Sequence, residues 1–174
     1  MQVIENRDFD QERALYGIKG IIVRNCKFDG PADRESALKE TSCMQINGCY
    51  MNLRYPLWHA NKAVVSDCGL TDKCRAAFWY DSDITIRNCC IIGTQPFCYC
   101  RNLIFENCIM EGCDFAFERS SVKADVKGRI ESVKNDFSGK ITADEIGTLI
   151  MDPSVVKKNH VRINCNNIGH IITK

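Results

Sequence analysis

Apolar residues recur at every second position of this chain in short runs, and each run breaks at a small polar residue followed by cysteine. The runs read I-I-V-R-N-C-K-F from Ile21, M-Q-I-N-G-C-Y-M from Met44, A-V-V-S-D-C-G-L from Ala63, I-T-I-R-N-C-C-I from Ile84 and L-I-F-E-N-C-I-M from Leu103. Their cysteines, Cys26, Cys49, Cys68, Cys89 and Cys108, lie 23, 19, 21 and 19 residues apart. Alternation with period two marks half-buried strands. Its return about every 20 residues marks a solenoid of stacked β-coils.

A second run precedes each of these. It reads A-L-Y-G from Ala14, A-L-K-E from Ala37, P-L-W-H from Pro56, A-F-W-Y from Ala77, P-F-C-Y from Pro96 and A-F-E-R from Ala116. In the first five copies its third residue stands ten positions before the column cysteine. Each coil is therefore predicted to hold two strand segments, and alternation assigns their faces. Leu15, Leu38, Leu57, Phe78, Phe97 and Phe117 point inward from the first. From the second, Ile21, Met44, Ala63, Ile84 and Leu103 form one inward column, and Val23, Ile46, Val65, Ile86 and Phe105 form the next. The column cysteines then point in, as do Phe28, Met51, Leu70, Ile91 and Met110 two residues later. Asn25, Gly48, Asp67, Asn88 and Asn107 fall where the coil must bend, and Gly, Asn and Asp best tolerate the positive φ of a sharp corner. Stacked Asn side chains there are placed to hydrogen-bond between coils.

One coil cannot bury its own apolar face, but parallel coils stacked at ~4.8 Å build a shared core. The expected fold is all-β, a single parallel β-helix domain over residues 1–174. Residues 1–11 are expected as an N-terminal cap, 12–152 as six to seven coils and 153–174 as a C-terminal strand or cap; six or seven coils make a rod ~30 Å long. After Ser120 the pattern loosens, with Val122, Ala124 and Val126 on one side and a last coil around Ile141, Ala143, Ile146 and Leu149.

Charge narrows the function classes. The 23 Lys plus Arg nearly balance 22 Asp plus Glu, so the basic excess of a nucleic-acid binder is missing. No run approaches the ~20 apolar residues of a membrane helix, and the start M-Q-V-I-E-N-R-D-F-D is polar where a signal peptide needs an apolar core. A cytosolic location without nucleic-acid or membrane partners is the expectation. The 12 cysteines follow the coil repeat rather than a disulfide or zinc spacing, since no C-x-x-C occurs. The column cysteines read as small buried apolar residues. Cys43, Cys74, Cys98, Cys100, Cys113 and Cys165 lie outside the column with no assigned role. With only His59, His160 and His170 as histidines, no metal or cofactor is expected.

The segments E-R-A-L-Y-G, E-S-A-L-K-E, Y-P-L-W-H and A-A-F-W-Y, with the N-C strands after them, resemble an uncharacterised microbial family of right-handed parallel β-helix proteins. F-A-F-E-R-S and G-K-I-T-A-D-E-I-G-T-L-I-M-D resemble its closing segment. The resemblance runs from about Phe9 to Asp152 and implies a right-handed, pectate-lyase-like solenoid. This chain is a shortened member, without the family's additional coils between the A-A-F-W-Y coil and the final ones. The family is one of unknown function and carries no established catalytic residues, so none can be transferred.

Candidate chemistry lies on the outward face of the first strand. One column reads Tyr16, Lys39, Trp58, Trp79, Cys98, Glu118, and the next reads Gly17, Glu40, His59, Tyr80, Tyr99, Arg119. Lys39, Trp58, His59, Trp79, Tyr80, Tyr99 and Glu118 form the candidate ligand-binding set. Aromatic rings stack on sugar faces while charged groups read hydroxyls or carboxylates, and exposed aromatic patches mark interaction sites. Like residues stacked on a solenoid also stabilise it without any ligand. Three classes stay open: a binding module for an oligosaccharide or small polar ligand, a structural protein that self-associates through this face or the coil ends as a homo-oligomer, and a carbohydrate-active lyase or hydrolase. For the last, Glu40 and Glu118 are expected three coils or ~14 Å apart, wider than an inverting pair. Asp81 and Asp83 read as turn formers, and His59 is the acid/base candidate. No catalytic residue is assigned and the enzyme question stays open.

Overall fold

The computed structural model describes residues 1–30, 35–155 and 161–174. His160 lies outside the described residues. In chain order the strands are β1 (Gln2–Glu5), β2 (Asp8–Phe9), β3 (Ile21–Arg24), β4 (Lys27–Asp29), β5 (Ser42–Asn47), β6 (Tyr50–Asn52), β7 (Leu57–Trp58) and β8 (Asn61–Ser66). There follow β9 (Gly69–Leu70), β10 (Phe78–Trp79), β11 (Ser82–Arg87), β12 (Cys90–Ile92), β13 (Leu103–Glu111), β14 (Ser121–Lys134), β15 (Ser138–Met151) and β16 (Val161–Thr173). No helix is present among the described residues, so none is long and apolar enough to cross a membrane.

The strands build a parallel β-solenoid. One ladder runs β1, β3, β5, β8, β11, β13, β14, β15, β16, giving nine rungs where six to seven coils were expected. The extra rungs come from the ends. Residues 1–11 hold β1 and β2, which pair with β3 and β4, and the tail supplies β16. Residues 1–11 carry no N-C pair, and in the tail Asn164-Cys165 follows Ile163 directly, without the intervening residue that the repeat has in each coil. A second ladder, β2, β4, β6, β9, β12, β13, covers another face. The first-strand segments form regular strand only at β7 and β10. Elsewhere the same parallel bonds continue, as from Leu15 N to Ala37 O at 2.8 Å and from Leu38 N to Pro56 O at 2.8 Å.

Every inward column assigned from alternation is buried in one continuous core. Within it Phe78, Phe97 and Phe117 stack at 4.8 and 5.4 Å between ring centroids. The predicted corner is also present: Asn25, Gly48, Asp67, Asn88 and Asn107 have φ of 49, 63, 54, 52 and 54°. Their side chains bond between coils, with Asn107 Nδ2 donating to Asn88 Oδ1 at 2.7 Å and Asn47 Nδ2 to Asp67 Oδ2 at 2.9 Å.

The cysteine column has a hydrogen-bonding reason beyond burial. Behind each left-handed corner the next amide turns inward and needs an acceptor. Cys49 N donates to Cys68 Sγ at 3.3 Å, Cys68 N to Cys89 Sγ at 3.4 Å and Cys89 N to Cys108 Sγ at 3.4 Å. Each thiol in turn donates to the carbonyl two residues back, at 3.1–3.4 Å in Cys26, Cys49, Cys68, Cys89 and Cys108. A small apolar group that is also a weak donor and acceptor suits this position. Hydrogen bonding with the neighbouring thiols first, and burial second, push the Cys68 and Cys108 pKa values up, and all 12 cysteines are free. Cys165 belongs with this column after all. The register Cys108, Val126, Ala143, Cys165 places it three rungs beyond Cys108, where its distance from the repeat hid it.

From Ser121 the corners open out. β14, β15 and β16 run 14, 14 and 13 residues without a break and form a long parallel sheet continuous with β13. The register slips between Phe105 and Cys108, at the last corner, and again between Val126 and Arg129. Val122, Ala124 and Val126 face the core, as do Ile141, Ala143, Ile146 and Leu149. β16 pairs only with β15, and its Ile171 is 63% exposed.

Candidate functional site

A second left-handed corner follows the first-strand segments, at Gly17, Glu40, His59, Tyr80, Tyr99 and Arg119, with φ of 68, 59, 57, 60, 59 and 50°. Main-chain bonds hold these corners in register: Glu40 N to Trp58 O at 2.8 Å, His59 N to Trp79 O at 3.1 Å, Tyr80 N to Cys98 O at 3.1 Å and Tyr99 N to Glu118 O at 2.9 Å. Equivalent side chains thus emerge one coil spacing apart, which is aromatic stacking distance.

The rings use that spacing. His59 and Tyr80 stack at 5.0 Å with planes 8° apart, and Tyr80 and Tyr99 at 4.9 Å and 11°. The Arg119 guanidinium closes the stack 5.7 Å from the Tyr99 ring centre. Beside it, Trp58 and Trp79 meet edge to face at 5.9 Å, and Lys39 Nζ lies 5.4 Å from the Trp58 centre. Trp79 Nε1 donates to Gln95 O at 2.7 Å, which fixes the indole. At the near end Tyr16 donates to Glu40 Oε2 at 2.7 Å, and that bond raises the Tyr16 pKa. Tyr55 packs its edge on Trp58 at 4.7 Å. The sequence reading missed Tyr55, although its place three residues before Trp58 in Y-P-L-W-H was the available signal.

Lys39, Trp58, His59, Trp79, Tyr80 and Tyr99 therefore share one edge of the solenoid, with the tryptophans half-buried and His59 and Tyr80 exposed. Glu118 is half-buried in the same column but makes no ring contact. Cys98 departs from its expected outward place, being 0% exposed. Its side chain is short, and the Trp79 indole and the Cys98 thiol converge on the same Gln95 carbonyl, so the ring overlies it. Burial first and Glu118 second push the Cys98 thiol up to about 12.

The carboxylates do not converge on His59. Glu40 and Glu118 are four rungs apart rather than three, because the main-chain bonds step through Trp58, Trp79, Cys98 and Glu118 in turn; the separation is then ~19 Å. Asp83 does form a corner, with φ 57°, and accepts from Asn102 at 2.8 Å. Asp81 is no turn former: it is 1% exposed, and its Oδ1 accepts the Ala60 amide at 2.8 Å. It serves this corner as the thiols serve the other, and Ser120 Oγ does the same for Cys100 N at 3.0 Å. Burial raises the Asp81 pKa well above the carboxylate range. Among the described residues no group of three or more His, Cys, Asp or Glu is arranged to hold a metal.

These features define a class: a parallel β-solenoid with a strained aromatic corner on one edge. The chain belongs to the family described as "Protein of unknown function (DUF3737)", matched over residues 2–90 and 82–164. The two stretches overlap in the coil that contains β11, beside the point where the family's additional coils were expected. No curated protein and no solved structure matches the chain.

Proposed function

We propose that this protein is a cytosolic, non-catalytic binding module for an oligosaccharide or similar polar ligand, held along the edge formed by Lys39, Trp58, His59, Trp79, Tyr80 and Tyr99. The observation that carries this reading is the ladder of stacked rings flanked by cations along this edge. A bulky residue at positive φ is unusual, and each costs about 1–2 kcal/mol. Four successive coils nevertheless place Glu40, His59, Tyr80 and Tyr99 there. The same conformation recurs at Arg13, Lys62 and Gln95 off this edge, so the rings rather than the strain set the edge apart. Tyr80 is 42% exposed, and cations stand at both ends of the aromatic run. Twelve free cysteines agree with a reducing compartment.

Tryptophan emission titrated with neutral and acidic oligosaccharides tests the proposal. Saturable change in the native protein, lost in Trp58→Ala, is the expected result. No response from folded protein to any member of the panel would overturn it. A second reading, self-association, is favoured by the open edge of β16, where Ile171 and Ile172 are exposed. It predicts a concentration-dependent mass in sedimentation and no response to sugars.

A further inference from the structure

The aromatic edge ends at a cavity that the sequence reading did not anticipate. Ser138 follows Ser121 in the ladder, so Asp136, two residues before Ser138, continues the corner column that Arg119 occupies one coil earlier. Around Asp136 lies a cavity of about 550 Å³, lined by Arg101, Arg119, Lys134, Asp136, Asp152 and Ser120 among others. That volume suits a small polar molecule.

Asp136 is the unusual group. It is 6% exposed, yet neither of its carboxylate oxygens accepts a hydrogen bond. Its ion-pair partner is Lys134, with Nζ 3.5 Å from Oδ2, and Lys134 also reaches Asp152 Oδ2 at 3.4 Å. Asp152 is satisfied by other means, since Ser154 donates to its Oδ1 through both N and Oγ, at 3.0 and 2.6 Å. A buried carboxylate without hydrogen bonds costs free energy. This one faces a cavity from which a ligand with O–H groups can supply them.

Charge selects the rest of the ligand. Arg101, Arg119 and Lys134 stand against Asp136 and Asp152, which leaves one positive charge in excess. A phosphate would bring acceptors to Asp136, which needs donors. A cation would meet three cations, and a zwitterion would leave the excess unmatched. A monoanion with hydroxyl groups meets both demands. We propose that this cavity binds a small hydroxylated carboxylate of the uronate or aldonate class, with its carboxylate on Arg101 and Arg119 and its hydroxyls donating to Asp136. The site shares Arg119 with the end of the aromatic edge but involves neither tryptophan, so it can be tested without them.

Calorimetric titration with D-glucuronate and D-gluconate tests the proposal, with glucose and acetate as partial ligands. Binding of one acid at least tenfold tighter than both glucose and acetate is expected, with at least a tenfold loss in Arg101→Gln and in Asp136→Asn and no change in Trp58→Ala. Arg101 is exposed, so its variant keeps the question open to test should Asp136→Asn fail to fold. The proposal is overturned if folded protein binds neither acid, if acetate or glucose binds as well as the acids, or if Arg101→Gln binds with unchanged affinity.

Discussion

Of the left-handed corners that turn each central coil of this solenoid, two flank its strands in the same conformation, yet they are built from different residues. At one, Asn25, Gly48, Asp67, Asn88 and Asn107 are types that accept positive φ at little cost. At the other, Glu40, His59, Tyr80, Tyr99 and Arg119 are not. Behind both, the next amide turns inward and takes a side-chain acceptor from the following coil. At the first corner the acceptor is a thiol in the three coils from Cys49 to Cys89; at the second it is Asp81 or Ser120 where one is seen. The backbone therefore explains the residue chosen at the first corner. At the second, only contacts of the side chains themselves explain it: ring on ring, cation on ring, and on the proposed reading ring on ligand.

The comparison can be broken at several points. Asn88→Val puts a branched side chain at positive φ and removes the bonds to Asn107 and Asp67; a loss of about 3 kcal/mol in urea unfolding is expected. Cys68→Val leaves the Cys49 amide without its acceptor while keeping an apolar side chain, and should cost about 2 kcal/mol. Cys68→Ser, which still donates and accepts, should cost less in the same measurement.

Asp81 supplies a prediction of opposite sign. Its folded pKa lies above its unfolded one because the carboxyl is buried. The native state is thus favoured below the unfolded value of about 3.9 and loses that stability as pH rises toward the folded pKa. Asp81→Asn removes the loss. It should gain about 1–2 kcal/mol at pH 7, and the gain should shrink as pH falls toward 3.9. The smallest expected effect is Lys39→Met, which removes a half-buried cation from Trp58 and should cost about 0.5–1 kcal/mol by the same unfolding measurement.

The sequence disclosed whatever repeats. Alternation located every inward column of the second strand, and the small polar residue before each cysteine located the first corner. What it hid follows from features that carry no repeat. The N-terminal rung lacks the N-C pair and the tail carries it one residue out of pattern, at Asn164-Cys165, so β1, β2 and β16 went uncounted as coils. Burial of Cys98 depends on the indole of a neighbouring coil, and burial of Asp81 on an amide 21 residues away. The aromatic edge was legible as columns of residues, but its strain was not, because positive φ at Tyr80 or Tyr99 goes against the preference of the residue itself. The cavity at Asp136 lies where the coils give way to long strands and the register slips, beyond the reach of a periodic argument.

The most direct test of the difference between the corners is the reciprocal pair Asn88→Tyr and Tyr80→Asn, compared by urea unfolding. Asn88→Tyr imposes strain with no ladder to join and removes the bonds to Asn107 and Asp67, and a loss of about 3 kcal/mol is expected. Tyr80→Asn relieves strain while giving up the stacks on His59 and Tyr99, and these effects should cancel to within about 1 kcal/mol. A loss in Tyr80→Asn as large as that in Asn88→Tyr would contradict the account, because the second corner would then hold its residues for stability alone.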